Sequence, residues 1–407
     1  MTDHPAPHRS PTVPHRTPSP NRRRAALGLA FAVIGVSMAT WISRTPDIRD
    51  ATASSTAQMG LIIAALSAGS MVGLALGGGL VAGRGGRFVV RWCMFAMATG
   101  LAVVALGGGL GDGWVVAAGL AVFGFGVGAA EIAQNVEGVA VEAELARTVV
   151  PGLHGCFSVG ICAGGLLGLA ATALGVPVLP HLGAVAALSA TATVWVALNL
   201  PAATGREDRP APGEAGGLKS ALRVWREPRT LAIGAIALGM ALAEGTANDW
   251  LPLIAVDGYG LSSASGAFLY SFFGASMAVG RFAGGSLLDR FGRTKVMVAS
   301  AGLAVLGIGL VSLAPNVPLG ALGVFLWGLG ASLGFPVALS AAGDNPVDAA
   351  RRVSAVATAG YTAFLVGPPL LGFVGEHVGL RSAILVALAL VALSSLFAKS
   401  VDKPKAA

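Results

Sequence analysis

The sequence predicts an all-α membrane protein: twelve transmembrane helices in two pseudo-symmetric six-helix bundles. Three observations predict it. Charge is scarce: of 407 residues, 54% are hydrophobic and 12% charged, against roughly 25% charged in average soluble chains. Such a chain cannot cover a water-facing surface, and its mean hydropathy of +0.74 points to lipid as its solvent. Apolar stretches long enough to cross a hydrocarbon core of about 30 Å recur along it, and the second half repeats the first.

The apolar stretches fall at 25–43, 58–82, 89–110, 114–140, 151–175, 181–200, 230–251, 263–287, 295–314, 318–342, 353–375 and 381–398. Residues 1–24, rich in Pro, His and Arg, are expected to form a disordered cytoplasmic tail. Residues 25–200 form the N-terminal bundle. Residues 201–229 read as a cytoplasmic linker, with Pro201, Pro210 and Pro212, charges of both signs and a short amphipathic helix near Leu218–Trp225. Residues 230–398 form the C-terminal bundle and 399–407 a cytoplasmic tail. The 59 glycines suit helices whose backbones approach closely in lipid. Cys93, Cys156 and Cys162 lie in spans with no C-x-x-C pair, and read as small core residues rather than a disulfide or metal site.

Orientation follows from Lys and Arg in short loops. With the N-terminus inside, 23 of the 27 basic residues lie on the cytoplasmic side. Only Arg44, Arg49 and Arg381 lie outside, and Arg281 lies within a span. Both termini are therefore expected in the cytoplasm. The pI near 9.8 is a topology signal and gives no reason to expect nucleic acid as a partner.

Positions 206 apart match repeatedly: Thr40, Pro46 and Ile48 with Thr246, Pro252 and Ile254; Gly60 with Gly266; Ser70 and Met71 with Ser276 and Met277; Gly124 and Gly128 with Gly330 and Gly334. At 207, Gly160, Gly165 and Gly168 match Gly367, Gly372 and Gly375. An even number of spans returns the chain to the same side, so the halves form a parallel repeat about an axis along the membrane normal.

After span 8 the chain reads Gly285-Ser-Leu-Leu-Asp289-Arg290-Phe-Gly292-Arg293. The first-half copy is Gly79-Leu-Val-Ala-Gly83-Arg84-Gly-Gly86-Arg87, with Gly83 in place of the acid. The former resembles the G-x-L-x-D-R-x-G-R signature of the major facilitator superfamily. Further segments resemble a poorly characterised bacterial branch of it: Glu244-Gly-x-x-x-Asp249-Trp250 in span 7, Met277-Ala-x-Gly-Arg281 in span 8, Phe335-Pro336 in span 10, and Gly360-Tyr361…Gly367-Pro368-Pro369 in span 11. The resemblance covers residues 25–400. It implies two six-helix bundles, alternating access and a central cavity, and leaves the substrate open. It also implies gating by these loops, through Asp289, Arg290, Gly292, Arg293, Arg84, Gly86 and Arg87. Plain anchoring of arginines at an anionic membrane face is the alternative.

An ionisable group at the bilayer centre costs about 2.5–3.5 kcal/mol on insertion scales, so it faces a cavity or a partner. Span 4 carries Glu131, Gln134 and Asn135, whose spacing puts them together on one face; Glu137 points elsewhere. Either Glu131 takes a proton while Gln134 and Asn135 bind solute, or all three glue helices together. In span 7 Glu244 and Asn248 share a face, while Asp249 is turned by about 100° toward the outer end. Glu244 and Asp249 are further proton-coupling candidates, Asp249 also as part of an outer gate. Asn248 and Trp41 complete the candidate solute-binding set. Arg281 is expected in a structural ion pair with a helix carboxylate, Arg44 at the outer interface, and His154 as a polar residue opening span 5.

These readings predict secondary active transport of a small organic solute across the bacterial cytoplasmic membrane, with protons as the coupling ion, by a monomer without cofactor or metal. An uncoupled facilitator or exchanger and a transport-inactive sensor are the rivals. Direction stays open, the cavity suiting efflux of amphipathic or cationic compounds or uptake of a neutral polar solute. No P-loop, H-E-x-x-H or suitably placed G-x-S-x-G occurs, which argues against an enzyme.

Overall fold

Short connections reverse the chain between long helices along most of its length. The computed structural model describes residues 18–146, 149–206, 224–344 and 349–402. Its long helices are α1 Pro20–Ser43, α2 Thr56–Arg84, α3 Gly86–Leu110, α4 Gly113–Leu145, α5 Val150–Ala173 and α6 Val178–Leu198. The second half has α7 Pro228–Leu253, α8 Ser263–Phe291, α9 Arg293–Leu313, α10 Val317–Ala342, α11 Ala349–Val378 and α12 Leu380–Ser395. A short helix Thr45–Ala51 follows α1, and a π-helical turn Ile254–Gly258 extends α7 beyond Pro252. Ten of these helices are long and apolar enough to cross a membrane by length and composition. The other two are α8, whose apolar run is diluted by serines, Tyr270 and Arg281, and α12, which is short.

The helix ends are written in the sequence twice. Ser55 and Gln58 form a capping box on α2, and Ser262 accepts from Ser265 N–H on α8. Asp112 caps α4 and Asn316 caps α10. Each side-chain oxygen satisfies backbone N–H groups that the first turn leaves unpaired. The chain turns from α2 into α3 at Gly85 (φ +84°) and from α8 into α9 at Gly292 (φ +79°), a conformation that glycine adopts without steric cost.

Helix pairing repeats as well. α4 packs on α2 and α3, α1 on α5, and α3 on α6. Six helices later α10 packs on α8 and α9, α7 on α11, and α9 on α12. Two seams join the halves, α2 with α11 and α5 with α8.

These contacts correct the register of the repeat. Gly100 abuts Phe123 and Gly119, while Gly307 abuts Trp327 and Gly323; Gly124 abuts Leu66 and Ser70, while Gly328 abuts Phe273 and Met277. Equivalent positions are thus 207 apart in α2/α8 and α3/α9, and 204 apart in α4/α10. The 206-spaced pairings Gly60–Gly266, Ser70–Ser276, Met71–Met277, Gly86–Gly292, Gly124–Gly330 and Gly128–Gly334 are therefore chance matches; Gly85 is the counterpart of Gly292. The shift arises because α9, with 21 residues, is shorter than α3, with 25, which outweighs a longer turn before α10.

Some boundaries move. Residues 20–24, expected in the tail, are the first turn of α1. Pro20 suits a helix start, and Arg23 is buried there in ion pairs. The linker's 207–223 and the tails' 1–17 and 403–407 lie outside the described residues, as does most of the amphipathic helix expected near Leu218–Trp225. Leu61, Val72, Leu76, Phe282 and Leu306 are exposed along helix faces that lipid would cover. Exposed Trp114 sits at one end of the helices, and Trp92 and Trp195 near the other, where amphipathic rings favour a membrane–water boundary.

Candidate functional site

Polar groups inside the helical body gather where the two halves face each other. On α4, Glu131 and Asn135 are half-buried. Gln134, expected beside them, is fully buried, with its amide unpartnered. The wheel explains the split: positions 134 and 135 differ by about 100°, which turns Gln134 into the helix packing. Trp41 is buried likewise, with its indole N–H unpartnered. Glu137 pairs with Arg23 at 3.1 Å, and Arg23 also binds Glu144.

From α5, His154 Nε2 lies 3.2 Å from Asn135 Oδ1, with its ring 4.8 Å from that of Phe31. From α8, Arg281 Nη2 donates to Glu244 Oε1 on α7 at 2.9 Å; the two side chains are 28% and 15% exposed. The guanidinium charge reaches His154 across the α5–α8 seam. Tyr270, on the same face of α8, donates to Asn248 Oδ1 at 3.4 Å, and its hydroxyl lies within electrostatic reach of Glu244, Asp249 and Cys162. Tyr361 of α11 packs edge-on against Phe335 at 6.1 Å and lies within electrostatic reach of Glu131 in the other half. Trp327 of α10 donates its indole N–H to the Ala243 carbonyl at 3.1 Å, fixing α7 one residue before Glu244. Among the described residues Glu131 and Asp249 make no hydrogen bond or ion pair.

The structure therefore sets Asn135 beside His154, Glu244 on Arg281 and Asn248 on Tyr270, keeps Glu131 and Asp249 half-buried, and leaves Gln134 and Trp41 in the packing. Sequence reasoning missed Tyr270 and Trp327, named Tyr361 only within a motif, and set His154 aside. The chain has three tyrosines, and a hydroxyl ring in mid-span was the available signal.

The two ends of the body differ. At the end away from the arginine-rich loops, Arg49 binds Asp257 across the halves, and Ala57 N–H donates to Glu376 Oε2 at 3.0 Å. There too α2 and α11 touch backbone to backbone: a Cβ on Gly60 would stand 2.6 Å from the Pro368 carbonyl. Arg44, expected at the interface, is instead buried; it donates to the Val176 carbonyl at 2.8 Å and pairs with Asp47.

At the basic end the described ion pairs stay within one half. Arg293 and Arg229 share Asp344 at 2.8 and 3.0 Å, and Arg352 binds Glu227. Of the loop-signature residues, Asp289 is exposed and touches no described partner. Arg84 and Arg290 lie over the rings of Phe88 and Phe291, Arg87 is exposed, and Gly86 is buried against Glu137.

Two alike six-helix halves, joined along two seams and lined between them by ionisable groups of both, define a polytopic membrane transporter rather than an enzyme. The Major Facilitator Superfamily model matches residues 25–346 and 268–407. An uncharacterised MFS-type transporter of Yersinia pestis is 30% identical over 368 residues, 90% of this chain and 91% of its own length. The chain belongs to the Major Facilitator Superfamily. The fold resembles that of the nucleoside transporter NupG (TM-score 0.74, 16% identity, 94% of this chain and 99% of that one). It also resembles the E. coli fucose:proton symporter FucP (TM-score 0.66, 18% identity, 94% and 98%).

Proposed function

We propose that the protein carries a small organic solute across the bacterial cytoplasmic membrane by alternating access, coupled to protons. One observation carries the coupling: Glu131 and Asp249, on helices of opposite halves, are half-buried and have no cation beside them among the described residues. An unpaired carboxyl withdrawn from water disfavours its charged form, so it binds a proton when shielded and loses it when water reaches it. Rocking of the halves exposes such a group first to one side and then to the other. The similar fold of FucP, a fucose:proton symporter, is consistent with this reading. The arginine-rich end faces the cytoplasm by the positive-inside rule, and the Arg49–Asp257 end faces outward.

The test uses the full chain in proteoliposomes with a trapped pH indicator. Solutes that raise its melting temperature are added outside. Solute-driven proton movement is expected in the native protein, and its loss in Glu131→Gln and in Asp249→Asn. Solute flux that ignores an imposed pH gradient in the native protein removes the coupling and leaves an exchanger or facilitator.

A further inference from the structure

We infer that the groove between α1 and α5 at the arginine-rich end binds one anionic phospholipid, with its phosphate on Arg24 and an acyl chain running past Cys156. The groove holds about 480 Å³ and is lined by Arg24, Ala25 and Gly28 of α1 and by Gly152, Leu153 and Cys156 near the start of α5. Deeper in the membrane the two helices touch backbone to backbone, Gly35 on the Phe157 carbonyl and Gly160 on that of Ala32. Two turns nearer the end the contact loosens. A Cβ on Gly28 would stand 3.4 Å from Cys156 Sγ, and one on Gly152 would meet nothing within 4 Å. Small residues thus leave a gap within the range that bound molecules fill, about 300–1,000 Å³, in a body whose helices otherwise pack closely.

The gap opens toward lipid and away from the space between the halves. His154, which meets Asn135 and Phe31, follows Gly152 by two residues and is turned from it by about 200°. Gly152 instead begins a stripe on α5 that runs through half-buried Cys156 to exposed Val159, Ala163 and Leu166, at the three- and four-residue spacing of one helix face. An acyl chain laid along this stripe covers apolar surface only. Charge selects the headgroup. Arg23 is held by Glu137 and Glu144, whereas Arg24 is exposed and has no acid among the described residues. Glu142, the acid bonded to the start of α5, accepts from Val149 and Val150 N–H at 2.7 and 3.0 Å. A guanidinium offers paired N–H donors to a phosphate, and basic pockets between membrane helices take anionic headgroups. A zwitterionic headgroup carries its own cation beside the phosphate and gains less from Arg24. A soluble phosphate reaches the arginine and leaves the apolar floor unfilled.

The site is independent of the cargo and is tested without transport. The full chain, with Cys93→Ala and Cys162→Ala so that Cys156 is the single thiol, is placed in detergent micelles doped with phosphatidylglycerol or with phosphatidylcholine of the same acyl chains. Native mass spectrometry counts retained lipid, and the rate of maleimide labelling reads cover over Cys156. We expect one phosphatidylglycerol to be retained, to slow labelling, and to bind at least about fivefold more tightly than phosphatidylcholine. Arg24→Gln should erase that preference, and Arg22→Gln, outside the groove, should keep it. Gly152→Leu fills the gap without touching the charge and should lose the retained lipid. Equal retention of the two lipids, a preference that survives Arg24→Gln, or retained lipid that leaves Cys156 labelling unchanged overturns the inference. Protection of Cys156 by glycerol phosphate alone also overturns it, because the ligand is then a soluble anion.

Discussion

Arg49→Ala removes the ion pair that ties the halves together at the end opposite the basic loops. The Arg49 side chain is 16% exposed and that of Asp257 33%, so the pair lies between the exposed case, about 0.2–1 kcal/mol, and the buried one, about 3–5 kcal/mol on losing one partner. Arg49 also holds Asp50 at 2.8 Å, which divides its charge between two acids. We therefore expect a loss of about 1–1.5 kcal/mol from the state closed at this end. At about 1.4 kcal/mol per factor of ten, the open population rises roughly five- to twelvefold. Closure is weakened and not abolished, because the Gly60–Pro368 seam and the Ala57–Glu376 hydrogen bond persist.

Electron–electron distances between spin labels at Ala53→Cys and Val378→Cys, with Cys93, Cys156 and Cys162 replaced, measure that population directly. Asp257→Ala should produce a similar shift, and the double variant no more than either single one. Independent, additive effects of the two substitutions, or distance distributions that ignore both, would refute the clasp.

Other substitutions probe other links. Gly60→Val forces a side chain against the Pro368 carbonyl and the Gly372 backbone. Overpacking of about 1–3 kcal/mol should keep that end from sealing and cut solute flux by about tenfold or more, read in proteoliposomes. Trp327→Phe deletes the donor to the Ala243 carbonyl and should cost about 1 kcal/mol of stability, whereas Trp327→Ala should cost about 3–5 kcal/mol, compared by denaturant or thermal unfolding. Arg23→Ala strands the fully buried Glu137 and should destabilise by about 3–5 kcal/mol. Arg23→Met with Glu137→Gln should recover much of that loss in the same assay.

How much of this was legible in the sequence depended on which physical cost wrote it there. Lipid forbids unpaired backbone and exposed charge, so the spans and the costly side chains Glu131, Glu244, Asp249 and Arg281 stood out against an apolar background. The caps at Ser55, Asp112, Ser262 and Asn316 went unread, because Ser, Asp and Asn are ordinary residues in polar connections. The Arg49–Asp257 clasp was not, because its members sit 208 positions apart in polar connections where charge is unremarkable. The burial of Gln134 was missed because i, i+3 spacing brackets a face without saying which edge the neighbouring helices cover. Tyr270 and Trp327 were missed because an aromatic ring fits a core, an interface or a site equally well.

The corrected register separates scaffold from chemistry. At 207 positions in α5 and α11, Gly165 and Gly372 both line the seams between halves, against Ser271 and Gly60 respectively. At the same spacing His154 faces Tyr361, so a hydrogen-bonding ring is kept at that level in both halves. The charges are not kept. At 204 positions Glu131 and Asn135 correspond to Phe335 and Leu339, and at 207 Arg281 and Tyr270 correspond to Leu74 and Ile63. Packing positions tolerate duplication because both halves must close against the same kind of neighbour. The acid on α4 and the Arg–Glu pair of α8 and α7 have no such duplicate, so the two halves present unlike charges.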